Sequence, residues 1–172
     1  METQEHFIKR NTLFGCYVGG SFIITSLLFI LTGKNIALDP RVNQIITLLS
    51  IAGIFIGTRH FRDTYLNGYI TYGKALLTGF YILCVATFLY ALYTFSIYTL
   101  NPDFMEQFKK TMLAIVQQVY SESPMYSTIE QSINTYLFPI SVAIGEFFNK
   151  LFSGTFFALL LAGFLRKNNP SN

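Results

Sequence analysis

The side chains that could do chemistry fall in two places. Arg59, Arg62, Asp63 and Lys74, with His60 among them, form a mainly basic cluster. Guanidinium groups grip phosphate oxygens in a two-pronged fork, so this cluster suits a lipid headgroup or a partner. Glu146, Asn149 and Lys150 are spaced three and four apart and share one face of a helix. Ionisable residues at membrane depth face a bundle interior and mark an ion path or a partner contact. A Glu four residues before a Lys equally makes an ordinary surface pair, its lysine stem reaching up to the interface. Both readings stay open for this group, as plain headgroup anchoring does for the basic cluster.

Little else in the chain is reactive. His6 and His60 are too few for a metal site, and neither a phosphate-cradling glycine loop nor a nucleophile elbow is present. No enzymatic activity, cofactor or metal is therefore expected. The 12 Lys and Arg residues are scattered rather than gathered into a stripe, which sets nucleic acid aside as a partner. Cys16 and Cys84 lie inside apolar runs and read as small buried hydrophobes.

The elements that must position these residues are membrane spans. Hydrophobic residues make up 52% of the chain and charged ones 12%, about half the roughly one-quarter charged share of soluble domains. A bilayer core of about 30 Å needs roughly 20 helical residues, because nothing there but the helix itself can satisfy the backbone. Residues 13–31 and 75–100 meet that length, the second without one charge. Residues 42–58 make a shorter span. A fourth runs over 140–165 only if it takes in Glu146, Asn149 and Lys150. The first span is too long for the apolar core of a cleaved signal peptide and is read as retained.

Between spans three and four the periodicity changes to that of amphipathic helices. Phe104, Phe108, Met112, Ile115, Val116 and Val119 share one face, with Glu106, Lys109, Lys110, Gln117 and Gln118 opposite. Helices are expected over 102–120 and 127–138, forming a hairpin on the membrane surface or over the bundle mouth, with a stop near 121–124. The fold class is all-α: an integral membrane four-helix bundle carrying this hairpin. Glycine and alanine recur four apart in every span, as at Gly15 and Gly19, or Gly154, Ala158 and Ala162, a spacing that lets helix backbones approach in lipid. Tyr65, Tyr69 and Tyr72 are expected as an aromatic belt at one interface, with Tyr90, Tyr93 and Tyr98 toward the other. A faint repeat matches Phe14, Gly15 and Phe22 to Tyr72, Gly73 and Phe80.

Lys9, Arg10, Arg59, Arg62, Lys74, Arg166 and Lys167 fall on one side of the spans, and Lys34, Arg41, Lys109, Lys110 and Lys150 on the other. The positive-inside rule then puts both termini in the cytoplasm.

The stretch GIFIGTRHFRDTYLNGYITYGKALLTGF, from Gly53 to Phe80, together with the NPDF that closes span three, resembles an uncharacterised bacterial family of four-span membrane proteins. That is a domain-of-unknown-function family common in Bacteroidota. The resemblance implies a bacterial cytoplasmic (inner) membrane protein and no activity. It also implies a neighbour, a membrane-associated glycosyltransferase. The expected function is that of a non-catalytic interaction or accessory subunit binding membrane lipid, another membrane protein or itself. The alternative is a small oligomeric transporter or channel subunit using Glu146 and Lys150.

Overall fold

The computed structural model describes residues 2–33, 35–120 and 125–167, with side chains from His6 onward. Six helices account for nearly all of it: α1 Glu2–Leu31, α2 Pro40–Tyr65, α3 Tyr72–Leu100, α4 Pro102–Tyr120, α5 Met125–Tyr136 and α6 Pro139–Leu165. No strand occurs among the described residues; the only extended pairing there is an isolated bridge between Ile70 and Lys167. Four helices are long and apolar enough to cross a membrane: α1 over His6–Leu31, α2, α3 and α6. The stop expected at 121–124 and the positive charge at position 34 lie outside the described residues.

Local chemistry fixes the ends. Asp39 precedes Pro40 and its Oδ1 accepts from the Arg41 amide at 2.9 Å, so α2 starts with a side-chain cap and a proline at its first position. Asn67 and Gly68 take positive φ (52° and 80°), and Gly68 N–H donates to the Arg62 carbonyl at 3.1 Å, which closes α2. Thr71 caps the start of α3. Asn101 does not cap α4 with its side chain. Its Nδ2 turns back to the Ile97 carbonyl at 3.0 Å and closes α3, and α4 begins at the next residue.

The four long helices alternate in direction between two ends, here called basal (start of α1, the α2–α3 turn, end of α6) and apical. Contacts along α3 and α6 form an antiparallel ladder. Ala75 lies with Ala162, Gly79 against Ala158, and Leu83 against Gly154. Parallel α1 and α3 meet at Gly15 with Val85 and at Gly19 with Ala86, and Thr12 and Tyr81 share a hydrogen bond of 2.9 Å. Antiparallel α1 and α2 meet at Val18 with Gly53 and at Phe7 with Phe61. The small residues that the sequence placed four apart thus close on neighbours within one chain. A Cβ on Gly15 would sit 2.5 Å from the Val85 Cβ and 3.0 Å from the Ile82 carbonyl oxygen, so nothing larger fits without moving α3. The repeat gains no support: Gly15 and Phe22 are buried, whereas their counterparts Gly73 and Phe80 are exposed.

At the apical end the first half of α4 lies over the helix ends. Met105 and Phe108 are buried against Ile36, Tyr98 and Val142, and Asn35 Nδ2 donates to the Phe104 carbonyl at 2.8 Å. α5 packs on α4 and buries none of its own residues. On the outer face of α4 a 2.7 Å pair joins Lys110 to Glu106, and its hydrogen bond lowers the Glu106 carboxyl pKa.

Candidate functional site

Lys150 is the best-covered charge among the described residues, 5% exposed, although it lies 11 residues into α6, about 16 Å from Pro139 along the axis. Helical side chains lean toward the N-terminus, so its ammonium reaches up toward Glu146, one turn nearer the apical end. Nζ donates to Glu146 Oε2 at 2.5 Å and to Asn43 Oδ1 of α2 at 2.9 Å, and it stands 5.0 Å above the Tyr90 ring of α3. The Tyr90 hydroxyl in turn accepts from Ser26 Oγ of α1 at 3.0 Å, and Phe22 meets the same ring edge-on. All four long helices therefore contribute to one buried polar layer, with the two opposite charges in direct contact. This geometry answers the costs of a buried charge: the ammonium has a counter-ion, a neutral acceptor and an aromatic face.

Two features of the sequence reading are corrected here. Asn149 does not join Glu146 and Lys150; it is exposed, because the face it was assigned to is wider than the strip that meets α2 and α3. The upper tyrosines are not an interfacial belt. Tyr90 and Tyr98 are both 1% exposed and the Tyr93 hydroxyl is buried. Tyr98 donates to Asn35 Oδ1, so it ties α3 to the α1–α2 turn beneath α4. Their signal was in the chain: Thr87, Tyr90, Thr94 and Tyr98 repeat at spacings of three and four, a polar strip on a charge-free helix.

The layer is not fully satisfied. Thr78, Thr87 and Thr99 return their hydroxyls to the carbonyl four residues back, but Thr94 Oγ1, fully buried, has no partner, and neither has the Tyr93 hydroxyl. Continuing the α3–α6 ladder brings Thr94 level with Ala143 and Glu146. At the apical surface an open depression of about 490 Å³ is lined by Asn35, Asp39, Arg41 and Gln107, one turn of α2 above Asn43. Toward the basal end, Asn11 and Thr58 are likewise buried without partners.

The basic cluster lies at the end of α2. Asp63 takes Arg62 Nε at 2.7 Å and Arg59 Nε at 3.6 Å, and Arg62 Nη1 donates to the Leu165 carbonyl at 3.2 Å. Arg62 is thus partly occupied in closing the last turn of α6, next to the Ile70–Lys167 bridge whose two hydrogen bonds are each 3.0 Å. Lys74 stands apart, exposed in the first turn of α3, and His60 rests on the Phe14 ring. Cys84 is half-buried, but Cys16 is exposed, on the outward face of α1 rather than inside. Among the described residues no three His, Cys, Asp or Glu side chains are grouped to hold a metal.

An all-helical chain with four helices able to cross a bilayer and an ion pair enclosed among them is a multi-pass membrane protein. The chain belongs to the family described as "Protein of unknown function (DUF4199)", whose profile matches residues 13–167. No curated protein matches it. No solved structure matches it either.

Proposed function

We propose that this protein is a non-catalytic component of the cytoplasmic membrane, a four-helix bundle that works by contact with another membrane protein or with lipid, its basal end facing the cytoplasm. The observation that carries this reading is the state of its surfaces. The most covered charges are engaged within the chain, Lys150 by Glu146 and Arg62 by Asp63 and the α6 end, while Lys74 is exposed at the basal end. The α4–α5 arm, by contrast, leaves apolar side chains uncovered. Crosslinking in native membranes, gentle extraction and mass spectrometry test it. A partner attached through α4 or α5 is expected, and a membrane-associated glycosyltransferase, the neighbour implied by the resemblance, is the first to look for. Recovery of the chain with lipid alone would remove the protein partner. Orientation is read by labelling Ser127→Cys and Thr64→Cys in a background lacking the two native cysteines. The first is expected to react from outside the cell and the second only from within.

A second reading, a subunit of a small oligomeric transporter or channel, is favoured by one observation. Two buried hydroxyls, of Thr94 and Tyr93, lack partners in the part of α3 that carries Tyr90, beside the Glu146–Lys150 pair. Unsatisfied polar groups of this kind are where internal water or an ion enters. Solute or ion flux into proteoliposomes that is unchanged by Glu146→Gln with Lys150→Gln would sink that reading.

A further inference from the structure

The apolar face of α4 is longer than the surface the chain offers it. Met105, Phe108 and Met112 sit on the ends of the long helices, and at 100° per residue Ile115 and Val119 continue the same face. Yet Ile115 is 49% exposed and Val119 66%, with Met125 at the head of α5 at 59%. The opposite face is mainly polar, with Glu106, Lys110 and Gln117 along it and Leu113 and Ala114 beside them. A helix of 19 residues is about 28 Å long, more than the ends of the neighbouring helices underlie. Its distal half therefore overhangs them, with its apolar face turned the way its proximal half is turned.

The level of the overhang is also fixed. Asn101 alone separates α4 from Leu100, the last residue of a helix long and apolar enough to cross a bilayer. A face that looks down from that level, beyond the edge of the packed helices, meets the lipid that surrounds them. We infer that Ile115, Val119 and Met125 are seated in the headgroup and upper acyl region of the apical leaflet, making the α4–α5 arm an interfacial anchor. The arm has few cations for anionic headgroups, since α5 carries neither Lys nor Arg and Lys110 is paired with Glu106. Seating is thus by apolar burial and is indifferent to lipid charge. This rests on the reading of the arm as a contact surface and names lipid as what it contacts.

The chain contains no tryptophan, so one introduced indole reports alone. Val119→Trp is compared with Gln118→Trp, on the polar face of the same turn, each in nanodiscs of phosphatidylcholine with brominated acyl chains held by a scaffold protein free of tryptophan. Val119→Trp is expected to emit to the blue of Gln118→Trp and to be quenched severalfold more by brominated lipid. Gln118→Trp is expected to be quenched by aqueous iodide instead. Replacing part of the lipid with phosphatidylglycerol is expected to change neither result. Ile115→Trp, one turn nearer α3, repeats the measurement should the first variant express poorly. Equal quenching of the two sites by bromine, or an iodide-accessible Val119→Trp, would overturn the anchor. Because only lipid is present, that failure stays separate from a failed search for a protein partner in native membranes.

Discussion

Removing Glu146 alone should be far more damaging than removing both members of its pair. The two side chains are 5% and 13% exposed and their charged atoms are 2.5 Å apart. At an effective dielectric of about 20, unit charges roughly 3 Å apart attract by about 5–6 kcal/mol, from which each partner's loss of hydration must be subtracted. Glu146→Gln leaves the Lys150 ammonium with the Asn43 carbonyl and the Tyr90 ring but no counter-ion, a cost of about 3–5 kcal/mol. Lys150→Met keeps the side chain's shape and strands the carboxylate, at roughly 2–3 kcal/mol. In the double variant position 146 and Asn43 both carry neutral amides and position 150 is apolar, so its cost falls to about 1 kcal/mol and the coupling is about 4–7 kcal/mol. Reversible unfolding in mixed detergent and dodecyl sulfate micelles, run on all four proteins, gives that number directly. Additivity within about 0.5 kcal/mol would refute the argument, because it is what a solvent-screened pair at the interface would give.

Other substitutions separate the remaining contacts. Gly15→Ala should destabilise by about 1–3 kcal/mol in the same assay, since its methyl meets Val85 and the Ile82 carbonyl, whereas Gly20→Ala, on the same helix with open space around it, should cost nothing. Tyr98→Phe removes the donor to Asn35, at about 1–2 kcal/mol, and should speed amide exchange in the first half of α4, which Asn35 holds through the Phe104 carbonyl. Arg62→Lys keeps the charge but loses the fork that reaches both Asp63 and the Leu165 carbonyl. Faster exchange of the Ile70 and Lys167 amides is expected, and unchanged exchange would return Arg62 to a headgroup-binding role.

Charge-free runs were enough to read three of the membrane-crossing helices from the sequence, because backbone satisfaction in lipid makes run length decisive, whereas the fourth had to be extended across Glu146 and Lys150 to reach that length. The same count cut the second helix short at Thr58. Charge ends the hydrocarbon segment but not the hydrogen-bond ladder, and Arg59, Arg62 and Asp63 lie within α2. The pair at Glu146 and Lys150 was legible as chemistry but not as a site. Its settling partner, Asn43, is 107 residues away and only the packing of α2 on α6 brings it near. Tyr90 and Tyr98 were misplaced for another reason: position along a helix says how near an aromatic lies to the interface, while the helical face says whether it meets lipid at all.

Lipid supplies no hydrophobic force to hold helices together, so close packing and polar contacts must do it, and the two are divided along this molecule. From the middle toward the basal end, α3 and α6 touch through Ala75, Gly79, Ala158 and Ala162, with Gly154 receiving Leu83. Above Gly154 the small residues give way to Lys150, Tyr90, Ser26 and Asn43, and then to Tyr98 with Asn35. Backbones in van der Waals contact cannot separate slightly without losing the contact, whereas long side chains bridging through hydrogen bonds tolerate small shifts and admit water. Between α3 and α6 the basal half is thus the close-packed part and the apical half the hydrogen-bonded one. It is the hydrogen-bonded half that α4 covers, holding its Phe104 carbonyl to Asn35 and its Met105 and Phe108 over Tyr98. The arm therefore meets the apical half at Tyr98 and Asn35 and, through Met105 and Phe108, at Val142, one turn of α6 from Glu146, so a force on it reaches the turns that carry the ion pair before it reaches the close-packed half.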